Sequence, residues 1–596
     1  MKSGDQIGGT AVFGVKGFPH HQVRGKGAVY VPLLPRLSAL SVVESDRTFN
    51  PSFGLTRDVH ERLQDELEVR WDAFCSDHAD IGAEHHQYEF VAVVAHLILW
   101  RWMIRQAFEV LQPSEIVLPL HCREQAFHIA SQTDLIAWLP YGLLAEECAD
   151  LHVIYGEEDI PQRVLPRQSV KFRIVEISCR VVRRARVVAT QWRLRANPSI
   201  YSGEAPKQVR SMRPKRRRNL LVIAQFGKVE GILRRRIGRF RLRFISYDAF
   251  HLQALGKDSS PPTTTVLRSD RVDDSIMRYL TLLVVAGQAA EPRLEHMAAA
   301  NWAALITDAQ HDPLMRRLVD HATRMGKEVA TVPEGASLYV DELARYGAPY
   351  FITDPHVKKF VIDERHRAQL VTQGIAPSRV EVSGYLGNTA TASATEALVF
   401  KQLLRLCMPT LSEITTGCTV LLSYDDFFVN FEVPTFGAAS FNESSAQLVQ
   451  ITEELLNSGH RVLAKTRDHE VAAFIGERFK GEPLLVSAYM PWTALVDFSS
   501  LVITRDSSIG WESISLGKPV LVWNFSDYPS WTEVTLRGFS PNWVRVARCV
   551  EDLEPNIQSL LASNLARQKE FELTGKLAQP LVARRPGLVI DWINSL

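Results

Sequence analysis

The sequence predicts an α/β protein made of two Rossmann-like domains facing each other across a cleft, with an N-terminal extension. Three observations carry this reading. From Tyr88 onward, apolar helical stretches alternate with short apolar strands, the rhythm of a parallel sheet with helices on its faces. That rhythm lapses after about residue 150 and resumes at Asn219. It breaks again over Pro409 to Thr416, and a second strand–helix series then runs toward the C-terminus. Ligands of such units are expected in the cleft between them. The boundaries read as an extension over 1–85, a first domain over 86–405 with a basic insertion near 160–218, and a second domain over 406–596.

Bulk properties fit this scheme. A chain of 596 residues is too long for one core, and a hydrophobic content of 46% with 23% charged residues is that of a globular protein. Seven scattered cysteines without a CxxC pair point to a reducing compartment and away from a disulfide framework or zinc knuckle. The N-terminus lacks the continuous apolar region of a signal peptide. "YEFVAVVAHLILWRWMI" is interrupted by Glu89, His96 and Arg101, short of the roughly 20 clean residues of a spanning helix. It reads as a core helix, and the expected location is cytoplasmic.

Taken in order, Val59, Leu63, Leu67 and Trp71 have helical spacing, and a long apolar helix runs from Tyr88 to about Leu111. "PSEIVLPL" reads as a buried strand, "REQAFHIASQ" as a helix and "DLIAWLP" as a strand. Residues 150 to 215 mix β-branched residues with arginines and end in a linker-like tail. "NLLVIAQFG" and "FRLRFISYD" then read as strands, followed by the apolar run "YLTLLVVAG". "WAALITDAQHDPLMRRLVDHATRMGKEVATVPEG" gives strand, loop, helix and strand, and "APYFITDPHVKKFVID" and "SRVEVSGY" extend the series. The second series contains "CTVLLSYDD", the helix "SSAQLVQITEELLNSG", "HRVLAKTRDHE", "EPLLVSAY", "SSLVIT" and "PVLVWN".

The stretch "LVITRDSSIGWESISLGKPVLVWNF" (501–525) carries the clearest site signal. Strand "LVIT" leads through Arg505, Asp506, Ser507 and Ser508 into a helix, and ligands of open α/β sheets sit where strands end and helices begin. The two serines offer hydroxyl donors to a phosphate. Glu512 follows Ser508 at i+4, on the same helical face, where it could accept from ribose hydroxyls. Capping accounts for the same residues, with Ser508 as N-cap and Glu512 as its partner. Gly517, Lys518 and Pro519 then end the helix and direct the chain into the next strand. On the first domain, Asp308, His311 and Asp312 lie on a polar strand-to-helix loop at an edge of the expected cleft, where an ordinary cap is the competing account. Glu334 follows the next strand, where a carboxylate facing the cleft could deprotonate an acceptor hydroxyl; a surface acid near a helix start is the alternative.

"SSIGWESISLGKPVL" resembles the donor-nucleotide segment of GT-B-fold glycosyltransferases that build bacterial surface polysaccharides. That group includes capsule and lipopolysaccharide enzymes, sialyltransferases, Kdo transferases and CDP-glycerol phosphotransferases. "ITDPHVKKFVIDERHRAQLVTQGIAPSRVEVSGYLGN" is similar to the group's interdomain pattern. "VLAKTRDHE" lies where many members carry Lys-x-His-Pro; here Lys465 and His469 are spaced differently and no proline follows. Pro333-Glu334-Gly335 with Tyr339 matches half of the acidic motif of the sialyltransferase-like members, in which one acid is the base. The likeness spans roughly residues 270 to 530. It implies that Ser507 and Ser508 hold the donor phosphate and Glu512 the ribose, that Lys465, Arg467, His469 and Arg505 serve the nucleotide, and that Glu334 is the base. It also implies a nucleotide sugar as co-substrate with no resident cofactor, no catalytic metal, and a glycan or lipid-linked glycan as acceptor.

Two features stand outside this motif set. The histidine pairs at 20–21 and 85–86 lack a convincing third metal ligand. The basic stretch 207–243 reads first as a solvated loop and second as an attachment to the anionic inner membrane face, where a lipid-linked acceptor would wait. Without aromatic interleaving it does not read as a nucleic-acid surface. The expected function is transfer of a sugar, with a CMP-activated acidic sugar preferred as donor, to a bacterial surface glycan. The alternatives are a CDP-polyol phosphotransferase, a nucleotide-sugar epimerase, or a non-catalytic scaffold of a polysaccharide assembly complex.

Overall fold

A computed structural model describes residues 9–15, 28–33, 49, 57–124, 126–149, 151–156, 218–224, 240–256, 263–267, 270–333, 354–362, 364–372, 374–384, 418–424, 441–466, 472, 475–476, 478–487, 492–505, 507, 509–525, 530–573 and 586–596. Among them the chain forms three parallel sheets, of four, six and six strands, and one two-stranded antiparallel ribbon.

The first sheet draws on β1 (Thr10–Gly14), β2 (Val29–Pro32), β3 (Glu115–Pro119) and β5 (Val153–Gly156), in the order β2-β1-β3-β5. Helices α1 (Arg57–Asp77), α2 (Gln87–Leu111) and α3 (Gln132–Glu147) belong to the same unit. Phe13, Val31, Ile116 and Leu118 on one sheet face pack with Phe74, Phe90, Ile104 and Leu139 of the helices. Two strands from the stretch read as an extension therefore belong to this sheet: β2 pairs with β1, and β1 pairs with β3 a hundred residues later, with Ala11 opposite Ile116. Within α2, 72% of the most apolar window is buried inside the protein, although its length and composition match a membrane span.

Two segments differ from their expected structure. Residues 126–129, read within a helix, form β4 (Ala126–Ile129), which pairs antiparallel with β8 (Thr264–Leu267). "DLIAWLP", read as a strand, belongs to α3. Its start is fixed by Ser131, whose hydroxyl accepts from the Asp134 amide at 3.1 Å.

The second sheet contains β6 (Arg218–Ala224), β7 (Phe240–Ser246), β9 (Ala304–Thr307), β10 (Glu328–Thr331), β11 (Lys358–Val361) and β12 (Val380–Val382), in the order β12-β11-β10-β9-β6-β7. Helices α4 (Tyr247–Leu255), α5 (Val272–Ala299), α6 (Pro313–Arg324) and α7 (Glu364–Thr372) connect the strands. "YLTLLVVAG" lies inside the 28-residue α5. Alternation along a strand sends successive side chains to opposite faces. Leu221, Ile223 and Leu305 accordingly meet α5 and α6, whereas Leu220, Val222 and Ile306 face the other way.

The third sheet contains β13 (Thr419–Ser423), β14 (Arg461–Lys465), β15 (Leu484–Ser487), β16 (Leu501–Thr504), β17 (Val520–Trp523) and β18 (Val544–Ala547), in the order β15-β14-β13-β16-β17-β18. Around it lie α8 (Phe441–Asn457), α9 (Trp492–Phe498), α10 (Ile509–Ser515), α11 (Trp531–Leu536), α12 (Leu553–Ala562) and α13 (Asn564–Leu573). Leu421, Leu463 and Val502 pack on one face, and Val420, Val462 and Ile503 on the other.

The last helix, α14 (Pro586–Ser595), leaves this unit and returns to the second sheet. Its Val589 and Ile593 bury against Leu220, Val222, Ala304 and Phe360. Ile362 packs in the reverse direction, among Trp511, Ile514 and Val522 of the third-sheet unit. The fold is thus α/β with two Rossmann-like, all-parallel six-stranded units, the GT-B-like class expected, joined to a smaller parallel α/β unit.

Candidate functional site

In an open parallel sheet, ligands bind outside the carboxyl ends of the strands, where the strand order reverses and neighbouring loops diverge. Both six-stranded sheets have one such point. In the third sheet β13, β14 and β15 run outward one way and β16, β17 and β18 the other, so the reversal lies between β13 and β16. The loop leaving β16 is the serine motif. In the second sheet β6 and β7 run one way and β9 to β12 the other, so the reversal lies between β6 and β9. The loop leaving β9 carries Asp308, His311 and Asp312.

The serine loop is held from behind. The Ser507 amide donates to Thr532 Oγ1 at 3.0 Å, and Ser530 Oγ donates to the Arg505 carbonyl at 2.6 Å. Ser507 itself is half-buried, and its Oγ accepts from the Ile509 amide at 3.4 Å, the local helix-entry contact that a capping role requires. Gly510 lets α10 lie directly on α11, because a Cβ there would stand 3.0 Å from Thr532 Cγ2 and 3.3 Å from Leu536 Cδ1. Arg505 is fully buried, its guanidinium 5.2 Å from the Trp523 ring centre. A guanidinium over an indole face is a favourable cation–π arrangement. Glu512 is buried in the first turn of α10. Lys465 ends β14, one strand from the reversal, half-buried, and its carbonyl accepts from the Tyr424 amide at 2.8 Å. Ser508, Arg467, His469 and Glu334 lie outside the described residues.

The β9 loop forms a polar network. Asp312 caps α6, its Oδ1 accepting from the Met315 amide at 2.7 Å. Its Oδ2 accepts from Tyr247 Oη at 2.7 Å and lies 2.7 Å from His251 Nε2. Both partners sit on α4, which starts where β7 ends. Burial pushes the Asp312 carboxyl up, but the bonds from His251, Tyr247 and Met315 prevail and hold it below the usual range. Asp308 and His311 are buried beside it. Arg316 Nε donates to the Gln310 carbonyl at 2.9 Å, and Gln310 Nε2 to the Val332 carbonyl at 3.3 Å, tying this loop to the end of β10. Burial lowers the Arg316 guanidinium to about 10.

Sequence reasoning missed the groups that complete this network. Tyr247 and His251 stand one helical turn apart directly after a strand end, a signal the sequence does carry. Tyr88 and Glu89 come from α2 of the first unit; the Tyr88 ring lies 4.8 Å from that of His311. In the sequence Glu89 reads only as an interruption of an apolar run. The arrangement joins an ionised, fully bonded carboxylate to imidazole and phenol groups at one strand reversal, with a hydroxyl-rich loop at the other. Among the described residues, no group of three or more His, Cys, Asp or Glu side chains is arranged to hold a metal ion.

No family model matches the chain, and no curated protein matches it. Among solved structures it is similar to a UDP-GlcNAc 2-epimerase from Neisseria meningitidis bound to UDP-GlcNAc, at 12% identity and a TM-score of 0.42, over 64% of this chain and 100% of the other. It is similar to the glycotransferase of kitacinnamycin at 11% identity and a TM-score of 0.40, over 63% of this chain and 99% of the other. The wall teichoic acid polymerase TagF overlaps at 9% identity and a TM-score of 0.35, over 63% of this chain and 88% of that one.

Proposed function

We propose that the chain is a glycosyltransferase that takes a sugar from a nucleotide donor and passes it to a glycan acceptor. The observation that supports it is the coincidence of two independent placements. The serine loop and the β9 loop, each singled out by residue type, both leave their sheets at the point of strand reversal, where open α/β sheets bind ligands. In this reading Ser507 and Ser508 bind the donor phosphate, Glu512 the ribose, and Lys465, Arg467, His469 and Arg505 the charge that develops on the leaving nucleotide. Asp308, His311 and Asp312 line the acceptor side. A CMP-activated acidic sugar is the preferred donor, on the likeness carried by Pro333-Glu334-Gly335 and Tyr339. A lipid-linked acceptor and a cytoplasmic position beside the inner membrane belong to the same reading, through the basic stretch 207–243.

Thermal shift against CMP, CDP, UDP and GDP tests the donor side. One nucleotide should raise the unfolding temperature, since ligand at 100 times its dissociation constant stabilises by about 2.7 kcal/mol. The Ser507→Ala, Ser508→Ala double variant should abolish that shift while keeping the ligand-free melting temperature. A protein that responds to none of the four nucleotides defeats the reading. Conversion of the donor to its epimer without nucleotide release would assign the chain to the epimerases instead.

A further inference from the structure

In the first unit α1 and α2 leave a half-open cavity of about 240 Å³ between them. All four polar residues in the C-terminal half of α2, Arg101, Arg105, Gln106 and Glu109, line it. Arg101, Arg105 and Glu109 recur every four residues, which keeps them on one helical face. From α1, Glu66 and Arg70 complete the polar lining. The apolar part is Leu63, Ile98 and Trp102, which pack on the core of the unit.

The guanidiniums are fixed from behind. Asp273, in the first turn of α5, lies 2.6 Å from Arg70 Nη1 and 2.5 Å from Arg101 Nη2, so one carboxylate holds an arginine from each wall. Glu147, the last residue of α3, lies 2.8 Å from Arg105 Nη2, and Glu66 lies 2.7 Å from Arg70 Nη2. Arg101 is 12% exposed and Arg105 59%, so the cavity runs from a closed end to an open one. Gln106 and Glu109 differ from the arginines. Neither makes a hydrogen bond or ion pair with any of the described residues, which leaves an amide and a carboxylate for a guest. Trp102 likewise has no aromatic or cationic partner among the described residues and gives its indole to the same space.

This lining selects a class of guest. Glu66, Glu109, Asp273 and Glu147 offset the three guanidiniums, so no surplus positive charge draws an anion. A cation would meet the arginine donors, and a purely apolar guest would leave the amide and the carboxylate without partners. Hydroxyl groups both donate and accept, and so can satisfy guanidinium, amide and carboxylate together. The C–H face of a sugar ring supplies the apolar surface that an indole packs against. The volume falls below the roughly 300–1,000 Å³ of sites for drug-sized ligands, which limits the guest to about one ring.

We propose that this cavity binds one neutral sugar ring and serves as a distal subsite for the glycan acceptor. The acceptor role rests on the glycosyltransferase reading above. Tyr88, near the start of α2, lies against His311 of the β9 loop, and Trp102 stands about 20 Å further along the helix at 1.5 Å per residue. The ring held here is therefore not the one that reacts but one further back along the glycan.

Saturation-transfer NMR on the full chain at pH 7 tests the site. The probes are methyl glycosides of glucose, galactose, mannose and N-acetylglucosamine, with those of glucuronic and N-acetylneuraminic acid as anionic controls. At least one neutral glycoside should bind. The Gln106→Ala, Glu109→Ala double variant should weaken that binding about tenfold or more, and Gln106→Trp, which fills the cavity, should abolish it. Both variants should keep the melting temperature and the nucleotide response of wild type. With a neutral oligosaccharide acceptor, the double variant should raise KM about tenfold at unchanged kcat; with a monosaccharide acceptor it should change neither. The inference is overturned by a wild type that binds no neutral glycoside, by preference for the acidic glycosides, or by neutral binding indifferent to both variants, each of which leaves the nucleotide site standing. An unchanged KM for the oligosaccharide removes the acceptor role. A wild type that binds glycosides but no nucleotide removes that role together with the glycosyltransferase reading, and leaves the sugar site.

Discussion

His86 predicts a specific acid weakness of the first unit. The residue is 3% exposed, and neither ring nitrogen has a hydrogen-bond partner. Its Nε2 would stand 2.8 Å from a Cβ placed on Gly287, so the ring is wedged against α5. Burial, reinforced by the charges of Arg317, His85 and Arg316, lowers its pKa to about 3, against 6.5 for an unburied imidazole. Between those values the folded ring is neutral while the unfolded ring carries a proton. The unfolded state therefore binds more protons, and stability falls as the pH drops below about 6.5. At 1.36 kcal/mol per pH unit, the step from pH 7 to pH 5 costs about 2 kcal/mol through this one side chain. His86→Leu removes the titration and replaces an unsatisfied polar ring with an apolar group of similar size, so it should be near neutral at pH 7. Native-state hydrogen exchange of the α2 amides at pH 7 and pH 5 reads the opening free energy of this unit alone. The variant should lose about 2 kcal/mol less than wild type over that interval; His85 and His96 contribute equally to both proteins and cancel. Equal losses, within about 0.5 kcal/mol, would show that the buried ring is not what acid attacks.

Three further outcomes are expected. Lys359 is buried in β11, and burial lowers its ammonium to about 7; the unfolded chain binds the extra proton between there and 10.5, so wild-type stability should rise by about 2 kcal/mol from pH 7 to pH 9, a rise that Lys359→Met abolishes in urea melts. Thr532→Val keeps the shape beneath the serine loop but deprives the Ser507 amide of its acceptor, and should weaken nucleotide binding roughly fivefold, about 1 kcal/mol, by calorimetry. Gly287→Ala drives a Cβ to 2.8 Å from His86 Nε2 and 3.2 Å from Arg317 Nε, and should destabilise the first unit by about 1–3 kcal/mol, with His86→Ala in the same chain recovering most of the loss.

Periodicity and strand-end chemistry made much of the two six-stranded units legible. "LVIT" and "PVLVWN" are runs of β-branched and apolar residues bounded by polar loops, and they became adjacent parallel strands with Ile503 opposite Leu521. Readings failed where an apolar run was too short for its period to show. "DLIAWLP" contains five apolar residues in seven positions and a proline, consistent with a buried strand, but the Ser131 cap and the continuation to Glu147 make it a helix. The pairing of β1 with β3 depends on contacts a hundred residues apart and leaves no local trace. The strand reversals share that property, being facts of sheet order that no single loop encodes. Arg101 could be read only as a blemish in an apolar helix, because its partners Glu147 and Asp273 come from other helices far along the chain.

The return of α14 to the second sheet has a mechanical consequence. The chain leaves the second-sheet unit for the third-sheet unit and comes back to it at α14, so the two are attached at two places rather than one. A body fastened at a single point can swivel in any direction; fastened at two, it turns about the line between them. Opening and closing should follow one hinge axis, as a door on a pair of pins does, and the packing of Val589 and Ile593 is the second pin.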